Sequence, residues 1–88
     1  MKFSVAGNLL RFCDFHKEIE VPASSVRDGL LRLVETHPAL RAVLFDGEGR
    51  VRGVHRMFLN GEMLPHDDLR RPVGPTDALL ILTPLAGG

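Results

Sequence analysis

Five apolar residues in unbroken succession, Ala78-Leu79-Leu80-Ile81-Leu82, stand between Asp77 and Pro84, and they constrain the fold more than any other stretch. Such a run suits a central strand, buried on both faces or on one face and against a partner. Pro84 ends it, because a fixed φ and a missing amide donor stop strand pairing and aim the next residues away from the body. The expected boundary therefore falls there: residues 1–84 form the folded domain, and 85–88 are a flexible tail ending in Gly-Gly. Extended, Leu85-Ala86-Gly87-Gly88 reaches roughly 13 Å. A Gly-Gly end arises by chance in about one chain in 200 at average Gly usage. By itself the pair marks nothing beyond an ordinary frayed terminus.

Eighty-eight residues make one domain with a modest core, burying about 60–65% of the unfolded surface and leaving little room for an enclosed active site. Eleven basic and eleven acidic residues are spread along the chain, so no electrostatic footprint for nucleic acid or for a membrane surface is present. The bases are nine Arg against two Lys, Lys2 and Lys17. One cysteine, Cys13, excludes an internal disulfide and suits a reducing compartment. No apolar run approaches the ~18 residues of a membrane span, and Met1-Lys2 leads straight into alternating residues. The expected location is cytoplasmic.

Lys2 to Ala6 alternates with Phe3 and Val5 on one face, the period of a half-buried first strand. Leu9-Leu10-Arg11-Phe12 is expected to continue that strand past a bend at Gly7-Asn8 towards a turn at Cys13-Asp14. Lys17 to Val21 alternates again, with Ile19 and Val21 inward, completing an N-terminal hairpin. Ser25 and Asp28 form a capping-box variant, so a helix begins at Val26. Its apolar stripe is Val26, Leu30, Leu33 and Val34; Gly29 implies close packing on a sheet, and His37-Pro38 ends it. A short helical turn is expected within 39–45, a loop at Asp46 to Gly49, and a strand region from Val51 to Leu59 closed by Asn60-Gly61. The stretch 65–77 reads as a surface connection with one helical turn at Asp67-Asp68-Leu69. With first and last strands parallel in the middle, this order gives an α+β β-grasp fold, a mixed four- to five-stranded sheet with one main helix across one face.

No residue constellation for catalysis emerges. Cys13 with His16 lacks the further ligands of a zinc site, and the thiol reads as an inert small hydrophobe. His37, His55 and His66 share no ligand spacing and read as surface or cap residues, and Asp67-Asp68 as a solvated pair. Gly47, Gly49 and Gly53 lack a following Gly-Lys-Ser/Thr and read as turn residues, not a phosphate-binding loop. Neither a metal site nor a bound cofactor is expected.

In element order, and most sharply at 25–30, 58–62 and 77–88, the chain resembles the ubiquitin-like sulfur carriers of the MoaD, ThiS and CysO type. The segments concerned are Ser25-Val26-Arg27-Asp28-Gly29-Leu30, Phe58-Leu59-Asn60-Gly61-Glu62, and the last strand with Ala86-Gly87-Gly88. It departs at Thr83-Pro84-Leu85, where many relatives have two prolines and Val, and at Arg70 to Pro75, where an aspartate-rich segment is usual. The resemblance implies a protein co-substrate, not an enzyme. An ATP-dependent, ubiquitin-activating-type (ThiF/MoeB-like) partner would adenylate the Gly88 carboxylate, and a persulfide or sulfide donor would convert it to a thiocarboxylate. A synthase or transferase would then accept the sulfur, for molybdopterin, cysteine, thiazole or a specialised metabolite. Leu85, Ala86 and Gly87 would serve by passing a narrow channel.

Docking has to come from the folded face. If Leu79 and Ile81 point to the helix, Leu80 and Leu82 point the other way beside Phe58, as an exposed apolar patch or as residues covered intramolecularly. Two other readings use the same body: a protein modifier joined through Gly88 to a target lysine, and a β-grasp interaction module with an inert end.

Overall fold

The computed structural model describes residues 1–83; the domain boundary expected at residue 84 and the tail 85–88 lie outside the described residues. Five strands form one sheet: β1 (Lys2–Val5), β2 (Glu18–Glu20), β3 (Arg56–Leu59), β4 (Glu62–Met63) and β5 (Ala78–Leu82), in the order β2-β1-β5-β3-β4. β5 is the middle strand, parallel to β1 and antiparallel to β3, and the outer pairs are antiparallel. The main helix, α1 (Val26–Thr36), covers one face, followed by the 3₁₀ turn Pro38–Leu40 and the short α2 (Arg41–Leu44). This is the β-grasp arrangement expected from the sequence. None of the helices among the described residues is long and apolar enough to cross a membrane.

Register explains the core. Phe3 pairs with Leu79 and Val5 with Ile81 across β1 and β5, while Met57 pairs with Ile81 and Leu59 with Leu79 across β3 and β5. All six are buried, and they meet Val26, Leu30, Leu33 and Val34 of α1. At about 1.5–3 kcal/mol per fully buried large apolar side chain, this layer is the main stabilising term. Helix and sheet approach closely because position 29 has no side chain: a Cβ there would lie 2.6 Å from Met1 Sδ and 3.0 Å from Phe3 Cζ.

α1 starts where expected. The Asp28 amide donates to Ser25 Oγ at 3.1 Å, and the Asp28 carboxylate accepts from the Ser24 amide at 3.0 Å, so the reciprocal half of the box is displaced by one residue. Asn60 and Gly61, with φ of 51° and 87°, make the two-residue turn between β3 and β4. The Asn60 side chain then ties that turn to β5, donating to Asp77 Oδ1 at 2.9 Å and accepting from the Ala78 amide at 3.0 Å.

Three expectations need correction. Residues Gly7–Cys13 form a 3₁₀ segment instead of prolonging β1: Gly7 turns the chain at φ 67°, and Leu9 and Cys13 are buried while Arg11 between them, which alternation would put on the same face, is exposed. The strand expected from Val51 begins only at Arg56, because β5 ends opposite it at Leu82; Val51 makes a single bridge to Phe45. At Asp67 to Leu69 there is a turn and no helix, with the Asp68 amide bonded to the Pro65 carbonyl and its carboxylate paired with Arg71.

Helix packing and carboxylate capping each carry a measurable share of stability. Gly29→Ala gains about 1 kcal/mol of helix propensity but drives a Cβ into Phe3, and we expect a net loss of about 1 kcal/mol in urea unfolding; a gain would refute the packing argument. Asp77 is held below the ordinary carboxylate value of 3.8 by the Asn60 side chain and the Gly74 amide, Asp28 chiefly by the Ser24 amide, and Asp46 by the Arg50 and Glu48 amides. Lower native than unfolded pKa values mean that their stabilisation is complete above 3.8 and fades as pH falls through the native values. The urea midpoint should therefore drop between about pH 5 and about pH 2, less steeply in Asp77→Asn, and a flat profile would contradict the assignment.

Candidate docking face and tail root

The sheet face turned away from α1 carries the other half of each strand. Ser4 pairs with Leu80, Leu80 with Phe58 and Phe58 with Met63, giving one row across β1, β5, β3 and β4; Leu82 and Arg56 form the next row. Leu80 and Leu82 are 36% and 37% exposed, Met63 is 61% exposed, and Phe58 is half-buried. The three residues singled out from the sequence, Phe58, Leu80 and Leu82, thus share one open face, and Met63 joins them. Towards β2 the face turns polar, where Lys2 Nζ and Glu18 Oε2 stand 3.3 Å apart. Of the two burial patterns open for β5, one covered face and one free face is the one found.

At the downstream end of β5 the chain leaves the sheet through Thr83. Its hydroxyl lies 2.7 Å from Nδ1 of His55, whose Nε2 lies 2.7 Å from the Val43 carbonyl oxygen. A carbonyl only accepts, so Nε2 carries a hydrogen and donates, while Nδ1 pairs with the Thr83 hydroxyl, a group able to donate or accept. On the other side, a Cβ at Gly7 would be 3.9 Å from the Thr83 carbonyl oxygen. His55 is 2% exposed, which corrects its reading as a surface residue. The signal was present: His55 continues the inward parity of Met57 and Leu59, as Thr83 continues that of Leu79 and Ile81. The tail residues Leu85, Ala86, Gly87 and Gly88 lie outside the described residues.

The remaining polar groups do not converge. Cys13 is fully buried; burial pushes its thiol up and the neighbouring Asp14 carboxylate adds to that, as an inert thiol requires. His37 is also buried, capping α1 with Nδ1 3.5 Å from Asp14 and its ring edge-on to His16. His66 is half-buried, with its Nε2 unpartnered in the structure. Among the described residues, no group of three His, Cys, Asp or Glu side chains is placed to hold a metal ion.

Sheet order, helix placement and open face define a ubiquitin-like β-grasp protein. No family model matches the chain, and no curated protein matches it in sequence. Solved structures do. The small archaeal modifier protein 1 (SAMP1) of Methanosarcina acetivorans is 28% identical, with a TM-score of 0.83 over 99% of this chain and 94% of its own. A chain of the BexX/CysO complex of Amycolatopsis orientalis is 23% identical, with a TM-score of 0.85 over 99% and 98%. SAMP1 of Haloferax volcanii is 24% identical, with a TM-score of 0.83 over 99% and 97%. The resemblance to MoaD/ThiS/CysO-type ubiquitin-like proteins read from the sequence thus reappears in the fold, and SAMP1 is a modifier by name.

The two faces of β5 make a paired prediction. Leu79→Ala removes a fully buried side chain and should cost about 2–5 kcal/mol, whereas Leu80→Ser on the open face should stay within about 1 kcal/mol of the parent. Comparable losses in chemical denaturation would mean that the open face is covered after all.

Proposed function

We propose that this chain is a sulfur carrier whose Gly88 carboxylate is activated and loaded by partner enzymes. The observation that carries the reading is the apolar face made by Leu80 and Leu82 of β5 with Phe58 of β3 and Met63 of β4, since β5 is also the strand that precedes Ala86-Gly87-Gly88 in the sequence. A patch of this kind marks a protein interface, and here it would bring the end of the chain to the partner with it.

The chemistry is that of a poor electrophile made good. A carboxylate resists nucleophiles because it is anionic and would have to expel oxide. In an adenylating partner, an oxygen of Gly88 attacks the α-phosphorus of ATP and pyrophosphate leaves, giving an acyl adenylate. Hydrosulfide then attacks the acyl carbon, AMP departs, and loss of a proton leaves the thiocarboxylate for a sulfur-accepting synthase or transferase. ATP is bound by the partner. This chain contributes no acid, base or metal; Gly87 and Gly88 serve through their lack of side chains, letting the partner's groups close on the terminal carbonyl. An ATP-fed reaction and a single thiol suit the cytoplasm.

A second reading, a modifier linked through Gly88 to target lysines, is favoured by the likeness to SAMP1, a modifier by name. Intact mass separates the two. With a ThiF/MoeB-like activating enzyme, ATP and sulfide, the carrier should exchange one oxygen for sulfur at its terminus, and deletion of Gly87 and Gly88 should abolish the exchange. Higher-mass conjugates alone would favour the modifier, and full function after the deletion would leave only an interaction module. Leu80→Asp should raise KM for the carrier in the activation step by about tenfold or more, with little change in fold stability. An unchanged KM would remove the patch from the interface.

A further inference from the structure

The buried ring of His55 is an expensive way to fill a core position unless its nitrogens are used, and both are used in one particular way. Nε2 donates to the Val43 carbonyl in the last turn of α2, one of the carbonyls that a helix end leaves without an internal partner. Nδ1 pairs with the Thr83 hydroxyl. The ring, itself buried, therefore bridges the helical layer to the first residue beyond β5 through two side-chain hydrogen bonds of 2.7 Å. Register supports this: Arg56 pairs with Leu82, so one further step sets His55 opposite Thr83 where backbone pairing has stopped. A side-chain bond takes over there from the ladder.

We propose that His55 is a positioning residue that fixes the point from which the C-terminal segment departs. The proposal rests on the carrier reading for its consequence: Gly88 lies five residues beyond Thr83, and a fixed root reduces the volume the terminus must search inside a docked partner. The docking face is untouched by the ring, so the effect falls on turnover and not on recognition.

The experiment compares Thr83→Val, which keeps the shape and deletes the hydroxyl, with Thr83→Ser, which keeps the hydroxyl. In ATP-pyrophosphate exchange with the activating enzyme, Thr83→Val should lower kcat about tenfold with KM for the carrier unchanged, and Thr83→Ser should return most of it. A wild-type kcat in Thr83→Val, or a change confined to KM, overturns the proposal. An enzyme-free readout separates this from failure of the carrier reading. The Thr83 amide should show a sheet-like ¹⁵N heteronuclear NOE that falls in Thr83→Val, and His55 should show the Nε2–H tautomer by ¹⁵N shifts. If wild-type protein is never activated but these hold, the carrier reading fails and the root stands. If the Thr83 NOE does not fall, the root fails whatever the enzyme does.

Discussion

The parallel pairing of β1 with β5 is the contact on which the rest depends. It joins the two extremes of the described chain, and nothing local can form it: residues 2–5 must wait for residues 78–82. Once made, it sets Phe3 against Leu79 and Val5 against Ile81, and the helix between them has a continuous apolar floor to land on. β3 then adds on the free side of β5 and doubles that floor with Met57 and Leu59. The loop-closure entropy of so long a connection is repaid only by this joint burial, so the fold forms as one cooperative unit.

Because side chains alternate along a strand, β5 carries two separable jobs. Leu79 and Ile81 hold the domain together; Leu80 and Leu82 stay in contact with water. A one-residue slip would exchange the two sets, exposing the core pair and burying the outer pair, so register is tightly determined. The Asn60 latch onto Asp77 and Ala78 pins the start of β5, and the His55–Thr83 bond closes its end. Polar bonds at both ends thus restrain a strand whose middle is held only by apolar packing and backbone pairing.

Legibility tracked the kind of signal each residue carries. Alternation in β1 and β2, the Ser25 cap, the α1 stripe and the Asn60-Gly61 turn are local patterns, and their elements lie where the sequence places them. The run 9–12 was different, since a short, mostly apolar stretch fits strand or helix alike and only Gly7's turn and the burial of Leu9 and Cys13 about an exposed Arg11 decide it. The extent of β3 was illegible for another reason: it depends on where its partner β5 stops. His55 shows the cost of reading residue type before position, for imidazole suggests surface while its parity says core.

On the carrier reading, that histidine also bears on how the folded body would contribute to chemistry carried out by a partner. A rigid domain joined to a reactive end through a loose root delivers the end to a large volume, and the partner must order it afresh at each encounter. Fixing the last residue of the body transfers part of that ordering to folding, where the core already supplies the free energy. On the carrier reading the terminal glycines would have to stay unencumbered to be reached, so restraint would fall upstream of them. Thr83, flanked by Gly7 and held by a ring that is itself held by α2, stands one residue before Pro84, at the boundary between those two demands.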